Sequence, residues 1–146
     1  MTNQRGRAPG ADRLDAAQAV ARAAGALALD YFRRAETLVV EHKGSQDLVS
    51  EADRETERHI RQELQSAFPV DAFMGEEHGY TEGSPGDGTW VVDPIDGTQP
   101  FLLGLPTWCI SIAYVADNRA QIGVIYNPAT DELYCAQAGA AAFVNA

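Results

Sequence analysis

The stretch WCISIAYVADNRAQIGVIYNPATDELYCAQAG, residues 108–139, decides the fold. Three strand-like runs, at 108–115, 121–127 and 132–139, are separated by the short polar turns ADNRA and PATD. Connections of this length join antiparallel neighbours, so the stretch predicts consecutive β-hairpins. The following GAAAFVNA, at residues 139–146, is interpreted as the beginning of another element.

Two helices are predicted upstream of these hairpins. In residues 13–34, apolar side chains recur at helical spacing. A second helix is expected to start near Ser50, where Ser50 and Asp53 resemble a capping box, and to end before Pro69. Between the helices, TLVVE at 37–41 is strand-like. The second helix is expected to bury Ala52, Thr56, Ile60, Leu64 and Phe68, and to expose Glu51, Arg54, Glu55, Glu57 and Arg58 to solvent.

The middle of the chain is predicted to combine two strands with a loop. Residues 71–75 and TWVVD at 89–93 are strand-like, and 78–89 has the composition of a loop. PIDGT at 94–98 is then a turn that leads into a helix. The prediction is an α+β fold, in which two N-terminal helices pack on one side of a mostly antiparallel sheet, preceded by a disordered tail at 1–12.

Composition narrows the class of protein. The 146 residues carry a formal net charge of −10, which argues against a nucleic-acid-binding surface. The Ala-rich region after the tail is interrupted by charges, so neither a signal peptide nor a membrane span is expected. Cys109 and Cys135 are interpreted as reduced core thiols of a cytoplasmic protein.

Acidic residues are concentrated in GEEHGYTEGSPGDGTWVVDPIDGT, residues 75–98. Like charges this close are costly unless a cation neutralises them. Asp93 and Asp96 flank Ile95, whose backbone carbonyl could join their carboxylates as a ligand. Oxygen ligands suit Mg²⁺ or Mn²⁺, and Glu76 could contribute another from a separate strand end.

The residues after these acids suit a phosphate group. Gly97 and Thr98 open the predicted helix, and backbone N–H groups at a helix start can bind phosphate. Pro100 fits the first turn, where an N–H is least missed. The residues alone leave open a plain turn with an Asp N-cap beside a solvated Glu pair, and a calcium-type loop, although the acidic spacing of an EF-hand is absent.

Three segments together resemble the inositol monophosphatase family of magnesium-dependent, lithium-sensitive sugar phosphatases. WVVDPIDGT at 90–98 is close to that family's signature W-x-x-D-P-[IL]-D-G-T. KGSQDLVSEAD at 43–53 and MGEEHG at 74–79 are similar to two further family segments, in the same order. The resemblance runs from about residue 13 to 146 and implies the N-terminal part of a layered αβαβα fold, with the C-terminal half absent.

The resemblance implies a role for each matching residue. Glu76, Asp93 and the carbonyl of Ile95 would hold one metal ion, while Asp93 and Asp96 would hold a second and Glu76 would lie near a third. Gly97 and Thr98 would bind phosphate, Asp53 and Thr98 would orient the attacking water, and Glu77 would support the cluster. Lys43 would assist. The implied reaction is direct in-line attack by metal-activated water, without a phosphoenzyme.

Several expectations about the whole protein follow from the same resemblance. The substrate is expected to be a small phosphorylated molecule such as inositol phosphate, and the protein is expected to be a homodimer. The missing half would normally supply the last ligand of the second metal. Histidinol phosphate, fructose 1,6-bisphosphate and 3′-phosphoadenosine phosphate are substrates of family relatives. Gln99–Pro100 departs from the usual D-G-T-x-N-F continuation and puts substrate preference in doubt. An alternative function is a non-catalytic, metal-binding half-domain that serves in assembly.

Overall fold

The structure, a computed structural model, describes residues 11–38 and 45–145. Within these ranges, seven strands form one sheet in the order β2-β1-β3-β4-β5-β6-β7, and every neighbouring pair is antiparallel except β1 with β3. In chain order, the elements are α1 Ala11–Leu38, α2 Ser45–Ala67, β1 Ala72–Gly75, β2 Gly79–Thr81, β3 Thr89–Asp96, α3 Thr98–Leu102, β4 Cys109–Ala116, β5 Arg119–Asn127, β6 Glu132–Gln137 and β7 Phe143–Val144.

The predicted α+β class and the hairpins of β4, β5 and β6 are confirmed. Asp117 and Asn118 form the two-residue turn between β4 and β5, with φ values of 53° and 57°. Asp and Asn tolerate this left-handed conformation better than most residues, and such a turn matches the twist of paired strands. The element expected after residue 139 is β7, which pairs with β6.

The core lies between the two long helices and one face of the sheet. α1 and α2 pack on each other, and on the sheet α1 lies mainly over β5 and β4 while α2 lies over β3. Small buried residues of α1 allow close approach to the sheet, and large side chains fill the space near α3. The small residues are Ala17, Ala21, Ala24 and Ala28, and the large ones near α3 are Phe32, Phe101 and Trp108. Trp90 instead packs against Phe68 and Tyr114.

The opposite face of the sheet carries no helix within the described residues. It exposes large apolar side chains, namely Met74, Val91, Ile125, Tyr134 and Val144. A groove of about 300 Å³ runs between β5, β6 and β7 on this face. No helix in the described ranges is both long enough and apolar enough to cross a bilayer.

A buried polar cluster fastens α1 to the sheet. The side chain of Asp71 is fully buried and accepts two hydrogen bonds of 2.9 Å from the Arg13 guanidinium. Trp90 Nε1 donates a third, at 3.0 Å. The guanidinium also lies over the rings of Phe68 and Tyr114, at 4.8 and 4.7 Å from their centroids. This arrangement satisfies a carboxylate that burial would otherwise destabilise.

Both helices are longer than the sequence predicts. α2 begins at Ser45, so Ser50 lies inside the helix and the expected capping box is wrong. The cause is Val49, which is buried three residues before Ala52 and continues the apolar stripe toward the N-terminus. Thr37 and Leu38 belong to α1 rather than to a strand. Residues 39–41 of that predicted strand lie outside the described residues, as does most of the 1–12 tail.

The middle of the chain also contains more strand than predicted. The predicted loop at 78–89 includes β2, which pairs with β1 as a short hairpin. β3 does not end at Asp93 but continues to Asp96, with a register shift between these two residues. Pro94 is accommodated because the register with β4 breaks there, so its missing N–H disrupts no regular ladder.

Candidate active site

Two strand ends bring the acidic residues together. β1 and β3 are parallel neighbours, with Gly75 beside Val92, so their carboxyl ends meet at the same edge of the sheet. Glu76 follows the end of β1, and Asp93 follows Val92 on β3. We define the acidic cluster as Asp53, Glu76, Glu77, Asp93 and Asp96.

Asp93 is the most perturbed member of the cluster on the sheet. Burial, a hydrogen bond with the Glu76 carboxyl and the charges of Glu76 and Asp96 raise the pKa of Asp93 to about 7. Its Oδ1 atom is buried and finds no hydrogen-bond partner among the described residues. Among the described residues this carboxylate has no positive partner, and a bound cation would supply one.

Asp53 reaches the cluster from α2. Burial, followed by the charges of Glu77, Glu76, Asp93 and Glu57, raises its pKa to about 7. Burial and the charges of Glu57 and Glu76 also raise the pKa of Glu77. The cluster is therefore a region of concentrated negative charge that joins the helical layer to the sheet.

Cys109 borders the cluster, which the sequence did not predict. It pairs with Asp96 across β3 and β4, and it is half-buried rather than in the core. Burial and the charges of Asp96 and Asp93 raise the pKa of its thiol to about 11. Cys135 is buried as expected, and both cysteines are free thiols.

Gly97 forms the corner between β3 and α3. Its φ of 97° is a left-handed conformation that L side chains rarely adopt. A Cβ at this position would lie 3.0 Å from the Thr107 carbonyl oxygen and 3.2 Å from Trp108 Cα. Its carbonyl accepts the Phe101 N–H at 3.0 Å, which closes the first turn of α3. The predicted helix start at Thr98 is confirmed.

Glu57 was predicted to lie on a solvated helix face, and this is wrong. Its side chain is fully buried, although Glu55 and Arg58 beside it form an exposed ion pair. Oε2 of Glu57 lies 2.6 Å from the N–H of His78 and 2.5 Å from its Nδ1, and Oε1 accepts the N–H of Glu77 at 3.0 Å. Spacing offered one signal, because Glu57 lies one turn after Asp53 and one residue after the buried Thr56.

The acidic cluster has the donor atoms that a hard cation prefers, but its carboxylates are not spaced to coordinate one. Its side-chain donors are all carboxylate oxygens, which suit Mg²⁺, and the orphaned Oδ1 of Asp93 is available. Yet in residues 11–38 and 45–145, no group of three His, Cys, Asp or Glu residues is spaced to hold a metal ion. The cluster would have to contract to coordinate one.

The predicted site residues are distributed as follows. Glu76, Asp93 and Asp53 are brought together, Glu77 and Asp96 adjoin them, and Ile95 lies buried between Asp93 and Asp96. Gly97 and Thr98 follow directly at the start of α3. Lys43 lies outside the described residues.

Known proteins share this fold and these segments. A model of the inositol monophosphatase family matches residues 11–146. The chain belongs to that family.

Three relatives show how far the similarity extends. An inositol-1-monophosphatase of Rhizobium meliloti is 47% identical over 128 residues, covering 88% of this chain and 48% of that protein. A histidinol-phosphatase of Chlorobaculum parvum is 44% identical over 133 residues, covering 90% and 50%. The crystal structure of the extragenic suppressor protein SuhB from Bartonella henselae superimposes with a TM-score of 0.81 at 34% identity, covering 92% and 52%. The chain therefore spans about half the length of the relatives it matches.

Proposed function

We propose that this chain forms the metal-binding part of a magnesium-dependent phosphatase that hydrolyses a phosphate monoester of a small polyol or sugar. The observation that carries the proposal is the Asp93 carboxylate, which lies beside Glu76 and Asp96 and has a buried oxygen without a hydrogen-bond partner among the described residues. Membership of a phosphatase family and relatives named for two different phosphate monoesters support the same reaction class.

Each residue of the site has a proposed role. Glu76, Asp93, Asp96 and the Ile95 carbonyl would hold two or three Mg²⁺ ions, or Mn²⁺. When bound, these ions lower the pKa of water and neutralise charge on the leaving oxygen.

The groups around the metal ligands position the reactants. Asp53 and Thr98 would orient the attacking water. The N–H groups of Gly97 and Thr98 would hold the phosphate, since the first N–H groups of a helix have no partner inside it. Glu77 would support the ligands, and Lys43 would assist.

The substrate is proposed only at the level of its class. Inositol phosphate and histidinol phosphate both present a phosphate on a small polar alcohol, and they correspond to the names of the two relatives above. Fructose 1,6-bisphosphate and 3′-phosphoadenosine phosphate remain within the same class. We also propose a homodimer, from the resemblance to the family, and a cytoplasmic location, from the interpretation of the cysteines as reduced thiols.

The test is phosphate release from a panel of these monoesters at several Mg²⁺ concentrations, preceded by an intact-mass measurement. A mass near 15.7 kDa establishes that the assayed protein consists of these 146 residues alone. We expect Asp93→Asn to abolish metal-dependent release. The matched control is Asp117→Asn, which removes an exposed carboxylate in the turn between β4 and β5. Wild-type turnover in Asp93→Asn would contradict the assigned roles.

The alternative function is a non-catalytic half-domain that binds metal and serves in assembly. The observation favouring it is that the chain spans about half of its relatives, which leaves room for ligands elsewhere in a longer protein. It predicts Mg²⁺ binding by calorimetry without turnover of any substrate in the panel, together with a stable oligomer. Turnover by the chain alone would exclude it.

A further inference from the structure

The inference concerns Glu57, a buried carboxylate on α2 that has no role in the proposed reaction. Within residues 11–38 and 45–145, its hydrogen bonds all converge on the turn between β1 and β2. The N–H of Glu77 lies 3.0 Å from Oε1 and 3.2 Å from Oε2, and the N–H of His78 lies 2.6 Å from Oε2. Nδ1 of His78 adds a fourth contact at 2.5 Å. One side chain thus binds consecutive backbone donors of the turn that carries Glu76.

Gly75 leaves room for this arrangement. A Cβ at Gly75 would lie 2.4 Å from both Cδ and Oε1 of Glu57 and 2.7 Å from Oε2. Real Cβ atoms do not approach this closely, so the end of β1 can meet the carboxylate only because residue 75 lacks a side chain. The Gly-Glu-Glu-His segment and Glu57 therefore form one interlocking unit.

A packing role alone does not explain a carboxylate here. Burying a carboxylate costs free energy that an apolar residue of similar size would not cost. A carboxylate is therefore expected at this position only if its hydrogen bonds are needed. Those bonds are directional, and they fix the backbone immediately after Glu76. Asp53 lies four residues before Glu57, so both project from the same face of α2.

We propose that Glu57 is a positioning residue, which fixes the turn at 75–78 so that Glu76 and Glu77 face Asp53 and Asp93. The functional part of this inference rests on the proposed metal-dependent reaction, whereas the structural part does not. Without the carboxylate, the turn would lose the acceptor of two backbone N–H groups, and the Glu76 carboxylate would no longer be held beside Asp93.

The experiment compares Glu57→Gln with Thr56→Val. Glutamine keeps the shape of Glu57 but places an NH₂ donor against the donors of the turn. Thr56 is the adjacent buried residue, and its hydroxyl has no hydrogen-bond partner in the part of the chain that the structure describes, so valine is a control for perturbing α2. Amide hydrogen exchange by NMR and a calorimetric Mg²⁺ titration are measured on each variant.

In Glu57→Gln, we expect exchange of the Glu77 and His78 amides to accelerate by about tenfold or more, while amides of β5 stay protected. The Mg²⁺ dissociation constant should rise by about tenfold, as for residues that orient metal ligands. Thr56→Val should change neither quantity more than about twofold. Unchanged exchange at Glu77 and His78, acceleration spread evenly over the sheet, or an equal effect of Thr56→Val would overturn the proposal.

Two further samples separate the possible failures. If Glu57→Gln does not fold, His78→Ala is used instead, because it removes only the contact between His78 Nδ1 and Glu57 Oε2. Hydrogen exchange of the backbone amide at residue 78 should then still accelerate by about threefold. If wild type binds no Mg²⁺, the proposed function fails while the exchange data still decide the role of Glu57. If Asp93→Asn loses Mg²⁺ binding but Glu57→Gln retains it, the proposed function stands and the positioning role fails.

Discussion

Replacing Asp93 with Asn should change the stability of the protein in opposite directions with and without Mg²⁺. In the metal-free protein, the Asp93 carboxylate is held partly out of solvent beside Glu76 and Asp96, and this environment raises its pKa to about 7. Above pH 7 the folded state carries a charge that it disfavours and that the unfolded chain tolerates. Asparagine removes that charge with little change in shape.

The magnitude follows from the pKa shift. A rise from 3.8 to about 7 is roughly three units, equivalent to about 4 kcal/mol for a fully buried group. Asp93 is half-buried, so solvent screening reduces the effect to about 1 kcal/mol, or a Tm increase of about 2–4 °C. Against this, 10 mM Mg²⁺ with a dissociation constant of about 1 mM would stabilise the wild type alone by about 1.4 kcal/mol.

Urea unfolding at pH 8 measures both effects, with the buried Trp90 and Trp108 as fluorescence reporters. The expected order of stability is wild type with Mg²⁺, then Asp93→Asn under either condition, then wild type in EDTA. Asp117→Asn serves as the control, which should follow the wild type within about 0.3 kcal/mol. The reasoning is refuted if Asp93→Asn is the less stable protein in EDTA, or if Mg²⁺ stabilises it as much as it does the wild type.

Three further predictions concern the cluster and the core. Because the pKa values of Asp53 and Asp93 are raised, the folded state binds protons between about pH 4 and pH 7 that the unfolded chain has already released. The unfolding free energy, measured by urea titration in EDTA, should therefore fall from about pH 4 to pH 7 and then level off. Asp71→Asn should cost about 3 kcal/mol of unfolding free energy, since it removes the charge that pairs with Arg13 and replaces one of the two acceptor oxygens with an NH₂ donor that faces the donors of Arg13 or Trp90. Asp30→Asn in an exposed ion pair should cost less than about 0.5 kcal/mol. Cys109 should react with iodoacetamide at pH 7.5 more slowly than a free thiol does, because burial and the nearby carboxylates raise its pKa to about 11. Equal rates would contradict this raised pKa.

Periodicity and turn composition were sufficient to predict the hairpins of β4 to β6, because alternating apolar residues and short polar connections are local signals. The acidic residues of 75–98 were also recognisable from local sequence. Their closeness to Asp53 was implied only by resemblance, since it depends on how α2 packs on β3. The same reason explains the error at Glu57: sequence placed it among charged neighbours, and its burial depends on Gly75, eighteen positions away.

The start of α2 and the length of β3 were mispredicted for a different reason. Ser50 has the residue type of a helix cap, but the burial of Val49 makes another turn of helix favourable. Pro94 has the residue type of a strand terminator, but an irregular register lets β3 continue to Asp96. In both cases tertiary packing outweighed a local preference.

Asp53 and Glu57 make the site dependent on how firmly α2 is docked. The helix supplies one carboxylate to the cluster and another to the backbone beside it, while the proposed metal ligands belong to the sheet and the turn after β1. An opening motion that detached α2 would leave the strands hydrogen-bonded, but it would withdraw Asp53 and release the turn that carries Glu76. Loss of metal binding should then precede loss of β-structure in rising denaturant, so the site would report the least stable cooperative unit of the fold rather than its average.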